Sequence, residues 1–290
     1  MTEPITQSIE RPGATITYDV RGDLAAPGQH PVTFVLASPM DASGFGTLAS
    51  HLTDRVVVTY DPRGTGRSAR SDGTGTLLPS DYAEDIAAVI TALGTGPVDL
   101  FASSGGAVNA LALVAAHPDL VVTLVAHEPP LVSIVDDAEG AVAAVQDLNA
   151  LYQSSGFGPA MAGFIALTIH RGPIPVGFIA ESGADPAMFG LPTTDDGTRG
   201  DPLLGQNMLG CTTYQPDIAA LKAAATRIVV AVGEESEGEL AHRGGQALAA
   251  LLGVASVRFP SNHAGFLGDE YGMPGKPVEF AARLREVLAP

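Results

Sequence analysis

The sequence predicts an α/β fold: a mostly parallel eight-stranded sheet with helices on both faces and a helical insertion. Three observations predict it. Short apolar runs alternate with helical patterns along most of the chain, the signature of a parallel sheet covered on both sides. The alternation stops between about Pro130 and Leu221, where helical patterns and prolines replace strands. The chain has 290 residues, 46% of them hydrophobic and 16% charged, which suits a sizeable core and not wholesale disorder.

The elements follow in order. Thr6–Glu10 and Thr15–Val20 alternate polar and apolar around Pro12-Gly13 and read as a hairpin. Val32–Ala37 and Val56–Tyr60 are apolar runs suited to strands buried on both faces, with a helical pattern near Phe45–Leu52 between them. Ser80–Leu93 reads as a helix, with Ser80 as its cap and Asp81, Glu84 and Asp85 near its positive end. Val98–Ala102 is a strand, and Gly105–His117 is a helix apolar nearly all round, hence buried. Val121–Ala126 is the sixth strand. Asp136–Tyr152 and Phe157–Ile169 read as helices, and a loop-rich stretch with Pro173, Pro175, Pro186 and Pro192 follows. Arg227–Val232 and Ser256–Phe259 are strands, and Gly238–Leu252 and Pro277–Leu288 are helices. The expected division is a core of residues 1–129 and 222–290 with a cap at 130–221.

A net charge of −17 argues against nucleic-acid and anionic-membrane partners, which need clustered Lys and Arg. The single cysteine, Cys211, allows no intramolecular disulfide. The first eleven residues lack the basic and apolar regions of a signal peptide, and no apolar run reaches the roughly 18 residues that span a bilayer. The expected location is the cytoplasm.

Chemistry concentrates at Ala102-Ser103-Ser104-Gly105-Gly106. A sharp strand-to-helix turn strains its central residue and lifts that side chain clear of the sheet, and the residues two before and two after must be small. Centring on Ser104 satisfies both positions, whereas centring on Ser103 puts Phe101 in a small site. The turn also aims free N–H groups at the head of the next helix toward a developing oxyanion. An ordinary helix cap has the same composition, so the later context matters. After the last strand comes Phe259-Pro260-Ser261-Asn262-His263-Ala264. A nucleophilic serine needs a base, and a histidine loop on the sheet edge where strand C-termini gather can supply one.

These residues resemble the α/β-hydrolases over nearly the whole chain. The resemblance rests on the turn at Ser104, the His263 loop, the helical insertion after the sixth strand, and Tyr60-Asp61-Pro62-Arg63-Gly64-Thr65-Gly66-Arg67-Ser68. That last stretch is similar to the D-x-R-G-x-G-x-S turn of the family's esterase and haloperoxidase-like branches, where its role is mainly structural. The resemblance implies an oxyanion hole from the Gly105 N–H and, by position in Ala37-Ser38-Pro39-Met40-Asp41, the Met40 N–H. It also implies an acid to orient His263. The family's usual G-x-x-D position reads Gly233-Glu234-Glu235-Ser236, so Ser236 stands where the acid is expected, with Glu235 and Glu237 beside it. Haloalkane dehalogenases of the same fold often place a Glu directly after the sixth strand, and Glu128 matches that location. A charge after a wholly apolar run needs a partner, which favours Glu128 over Glu235.

The expectation is therefore a serine hydrolase of small or medium carboxylic esters or lactones. Ser104 is its nucleophile, His263 its base and Glu128 its acid, with no cofactor and no metal site. Leu151, Tyr152, Phe157, Met161, Phe164 and Phe189 are available for an apolar lid. Cofactor-free haloperoxidase, C–C bond and thioester hydrolysis stay open, as does a non-catalytic binding protein on the same fold. His127 is expected to be structural, His170 packed or capping, His242 on a surface helix, and Cys211 a buried small residue. Oligomeric state is not legible.

Overall fold

The structure is a computed structural model that describes residues 3–26, 28, 30–73, 75–272 and 274–289. Met1 and Thr2 of the N-terminal segment lie outside the described residues. Eight strands form one sheet: β1 (Ile5–Arg11), β2 (Ala14–Arg21), β3 (Thr33–Ser38), β4 (Val57–Tyr60), β5 (Val98–Ser104), β6 (Val121–His127), β7 (Arg227–Gly233) and β8 (Val257–Phe259). Their spatial order is β1-β2-β4-β3-β5-β6-β7-β8. β1 pairs with β2, and β2 with β4, antiparallel; every other pairing is parallel. The mostly parallel eight-stranded sheet read from the sequence is therefore the one observed.

The helices are α1 (Gly46–His51), α2 (Pro79–Leu93), α3 (Gly105–Ala116), α4 (Ala138–Ser155), α5 (Phe157–Ile169), α6 (Phe178–Glu181), α7 (Met208–Thr212), α8 (Ile218–Ala223), α9 (Leu240–Leu252) and α10 (Pro277–Leu288). Successive strand side chains point to opposite faces, and the core divides accordingly. Phe34, Leu36, Leu100, Ala102, Leu124 and Val230 pack with residues of α2, α3, α8 and α9. Val35, Ala37, Phe101, Val125 and Ala231 pack instead with Phe45 just before α1, Leu48 of α1, and Phe280 and Leu284 of α10. Each large apolar side chain so buried contributes about 1.5–3 kcal/mol.

Between β6 and β7 the described residues form helices and no strand. They hold a third apolar cluster, in which Val145, Leu148, Tyr152, Ala160 and Leu167 meet Leu240 of α9. Among the described residues, no helix is long and apolar enough to cross a membrane.

The start of α2 differs from the expectation. The helix begins at Pro79, and the Asp81 carboxylate accepts the Leu78 N–H at 2.8 Å. Ser80 is exposed inside the first turn and caps nothing. Proline suits the first helical position because its missing N–H is one that a helix start leaves unpaired anyway. Asp85 is fully buried and ion-paired with Arg63 at 2.7 Å, so it holds the segment after β4 and does not serve the helix end.

Candidate active site

The chain order of the sheet turns back between β3 and β5. β4 lies on one side of β3, and β5 and β6 continue on the other. Open α/β sheets form a crevice at such a reversal, beyond the strand C-termini. Ser38 and Ser104, the last residues of β3 and β5, are in register there.

Ser104 has φ 55° and ψ −129°, in the left-handed region that a serine adopts only when its surroundings impose it. The small neighbours explain how the turn closes. A Cβ on Gly105 would stand 2.6 Å from the Ser38 carbonyl oxygen, and one on Gly106 would stand 2.6 Å from the Ala37 Cα. Helix α3 therefore enters directly against β3, with its first N–H groups at the sheet edge. Neither the Gly105 nor the Met40 N–H donates to a backbone or side-chain acceptor among the described residues. Ser103, by contrast, is buried, and its Oγ is 2.9 Å from His127 Nδ1.

The segment after β3 is held from two sides. Asp61 Oδ1 accepts the Ala42 N–H at 3.0 Å, and Asp61 Oδ2 accepts the Arg67 N–H at 2.7 Å. The Asp61–Ser68 turn thus braces the loop that carries Met40. From the other side, Asn207 Nδ2 donates to Ser38 Oγ at 2.9 Å.

Glu128 follows β6 with φ 48° and no exposed surface. Its Oε2 is 2.6 Å from His263 Nδ1. Its Oε1 accepts the Gly233 N–H at 2.8 Å and the Ser236 hydroxyl, and lies 3.6 Å from His242 Nδ1. Burial disfavours its charge. The hydrogen bond from His263, with the nearby imidazoles of His242 and His127, outweighs that and holds the carboxyl well below the usual carboxylate range. A carboxylate only accepts, so His263 carries its proton on Nδ1 and leaves Nε2 free as a base. Burial works against the imidazolium of His263, and Glu128 more than offsets it, so its pKa is raised. The ring of His127 stacks on that of His263, with centroids 6.0 Å apart. His127 has no exposed surface, and burial pulls its pKa down to about 4, so it is neutral near pH 7.

The structure therefore brings Glu128 and His263 into contact and sets Ser104, Gly105 and Met40 on neighbouring strand ends. Among the described residues, no hydrogen bond joins Ser104 to His263.

A profile described as the alpha/beta hydrolase fold matches residues 39–175. A thermophilic esterase from Thermogutta terrifontis superposes with a TM-score of 0.65, covering 99% of this chain and 98% of its own, at 20% identity. The chain has the alpha/beta hydrolase fold. The enol-lactonase of Burkholderia xenovorans LB400 shares this fold at a TM-score of 0.66 and 16% identity, over 97% of this chain and 99% of its own. By sequence, the chain is 28% identical to the uncharacterized hydrolase YraK of Bacillus subtilis, over 97% of this chain and 95% of that protein.

The other sequence candidates fall as follows. Glu235 is exposed and pairs with Lys276 at 2.5 Å, whereas His263 pairs with Glu128. Glu237 is paired with Arg258 at 3.7 Å. His170 ends α5, with its Nε2 3.0 Å from the Pro173 carbonyl oxygen and its ring against Phe178. Cys211 is buried and its thiol is pushed up to about 12 by burial. One expectation is overturned. His242 does not sit on a surface: it is 1% exposed, on the inner side of α9 against Glu128. Sequence reasoning also missed Asn207, which lies in a stretch without periodicity, and the donor role of Ser236. The departure from G-x-x-D pointed to Ser236 but not to the partner that it serves.

Proposed function

We propose that this protein is a serine hydrolase that cleaves small or medium carboxylic esters or lactones through an acyl-enzyme. The observation that carries the reading is the 2.6 Å contact between the buried Glu128 carboxylate and His263. It leaves His263 Nε2 free to act as a base, and the strained turn at Ser104 supplies the hydroxyl.

Ser104 Oγ attacks the substrate carbonyl while His263 Nε2 takes its proton. The Gly105 and Met40 N–H groups stabilise the oxyanion of the tetrahedral intermediate. His263 then protonates the leaving alcohol. Water, activated by the same imidazole, releases the acid and restores Ser104. Glu128 orients His263 and stabilises its cationic form. The serine and histidine close to hydrogen-bond distance in the substrate complex, as bases of this type often do. Residues 130–221 act as a cap over this edge. Two proteins of the same fold, named as an esterase and an enol-lactonase, fit the carbonyl substrate class.

The test is covalent labelling of the purified chain with a fluorophosphonate probe, followed by peptide mapping, with Ser104→Ala as control. Labelling confined to Ser104 is expected, with turnover of p-nitrophenyl esters or lactones. Folded protein that resists the probe would sink the reading. It would favour a binding protein on this fold, which the absent Ser104–His263 hydrogen bond also fits.

A further inference from the structure

We propose that His242 is a positioning residue: acting through Ser236, it locks one oxygen of Glu128 so that the other stays aimed at His263. The inference rests on the Ser104–His263–Glu128 reading above and extends it by two residues.

Proton counting carries the argument. Ser236 Oγ lies against Glu128 Oε1, and the carboxylate can only accept, so the hydroxyl proton points to Glu128. The hydroxyl then has only lone pairs to offer His242 Nδ1, which stands 3.5 Å from Ser236 Oγ and 3.6 Å from Glu128 Oε1. His242 must therefore carry its proton on Nδ1. The chain runs in one direction, from His242 Nδ1–H to Ser236 Oγ–H to Glu128 Oε1. At the other oxygen, His263 Nδ1–H donates to Oε2. The carboxylate is fixed at both ends.

All of this is buried. Ser236 and Glu128 have no exposed surface and His242 is 1% exposed. Among the described residues, His242 Nε2 has no hydrogen-bond partner. An imidazole with one buried nitrogen unpaired is costly, which a purely packing residue in its place would avoid. Other charges that act on His263 are few. They are Glu128 and Glu239, the latter itself paired with Arg171 at 3.1 Å, while His127 stacks on its ring.

The sign of the effect follows. Glu128 raises the pKa of His263, so loosening Glu128 lowers it, and the acid limb of reactivity moves to lower pH. The experiment measures the rate of fluorophosphonate labelling at Ser104 against pH for the full-length wild type, His242→Leu, His242→Asn and Ser236→Ala. Asparagine keeps a donor near the Nδ1 position and leucine does not. His242→Leu and Ser236→Ala are expected to slow labelling about 10- to 100-fold and to move the acid limb to lower pH. His242→Asn should stay close to wild type.

A merely structural role would lower the active fraction and leave the limb in place, and that result overturns the proposal. So does wild-type behaviour of Ser236→Ala, which decides the matter if His242→Leu does not fold. Glu128→Gln separates the levels. If it abolishes labelling while the His242 and Ser236 variants behave as wild type, only the positioning role fails. If wild-type Ser104 does not label at all, both readings fall.

Discussion

Asn207, between β6 and β7, donates its side-chain amide to Ser38 Oγ across 169 positions of sequence, at 2.9 Å and out of solvent. Ser38 is the last residue of β3, two before Met40, and pairs in register with Ser104. A residue far along the chain, between β6 and β7, thus fixes the end of the strand that leads into the proposed oxyanion loop. Asn207→Ala is expected to cost about 1–3 kcal/mol, because Ser38 is left buried without its partner. It should also slow probe labelling at Ser104. Urea unfolding and labelling kinetics check the two parts, and a variant unchanged in both would remove the link.

The two glutamates once in competition for the acid separate cleanly. Glu128→Gln should lower turnover by about 10³- to 10⁴-fold, since an amide can hold the wrong His263 tautomer. Glu235→Gln removes only a surface pair with Lys276. It should leave turnover unchanged and stability within about 0.5 kcal/mol. Steady-state kinetics on any ester that the wild type turns over compares them, and equal losses would contradict the assignment.

The pH dependence of stability has a defined sign. His127 is buried and its folded pKa is lowered from 6.5 to about 4. Below pH 6.5 the unfolded chain takes up a proton at His127 and the folded chain does not, so stability falls as the pH drops from 6.5 toward 4. The loss is up to about 3 kcal/mol. Glu128 does not act in most of that window. Its lowered pKa gives stability that is present above 4.5 and lost only below it. The raised pKa of His263 acts in the opposite direction, with stability present below 6.5 and lost at higher pH. Denaturant unfolding at pH 7 and pH 5 should show a smaller loss for His127→Asn than for the wild type. An identical slope would mean that His127 is not held neutral.

Gly106→Ala tests the close approach at the turn. The added methyl would stand 2.6 Å from the Ala37 backbone, so helix and strand must separate. The expected cost is about 1–3 kcal/mol, with weaker labelling of Ser104. Unchanged melting and labelling would show that the turn has room.

Much of the fold was legible because parallel strands buried on two faces are short apolar runs, as at Val121–His127, and such runs stand out. The Ser104 turn was legible because it needs small residues at fixed offsets. His242 was not. Periodicity places a helix face but does not tell a solvated histidine from one that meets Glu128, which lies 114 positions earlier. Asn207 failed for the same reason, since its partner is in β3. Ser80 failed because proline already supplied the start of α2. In each case the deciding contact is long in sequence.

Ser236 occupies the place where a carboxylate was expected, and its hydroxyl touches the carboxylate that arrives from the neighbouring strand. Two adjacent strand ends therefore serve a single anionic seat beside His263. The double change Glu128→Ala with Ser236→Asp moves the acid from one strand end to the other in two substitutions.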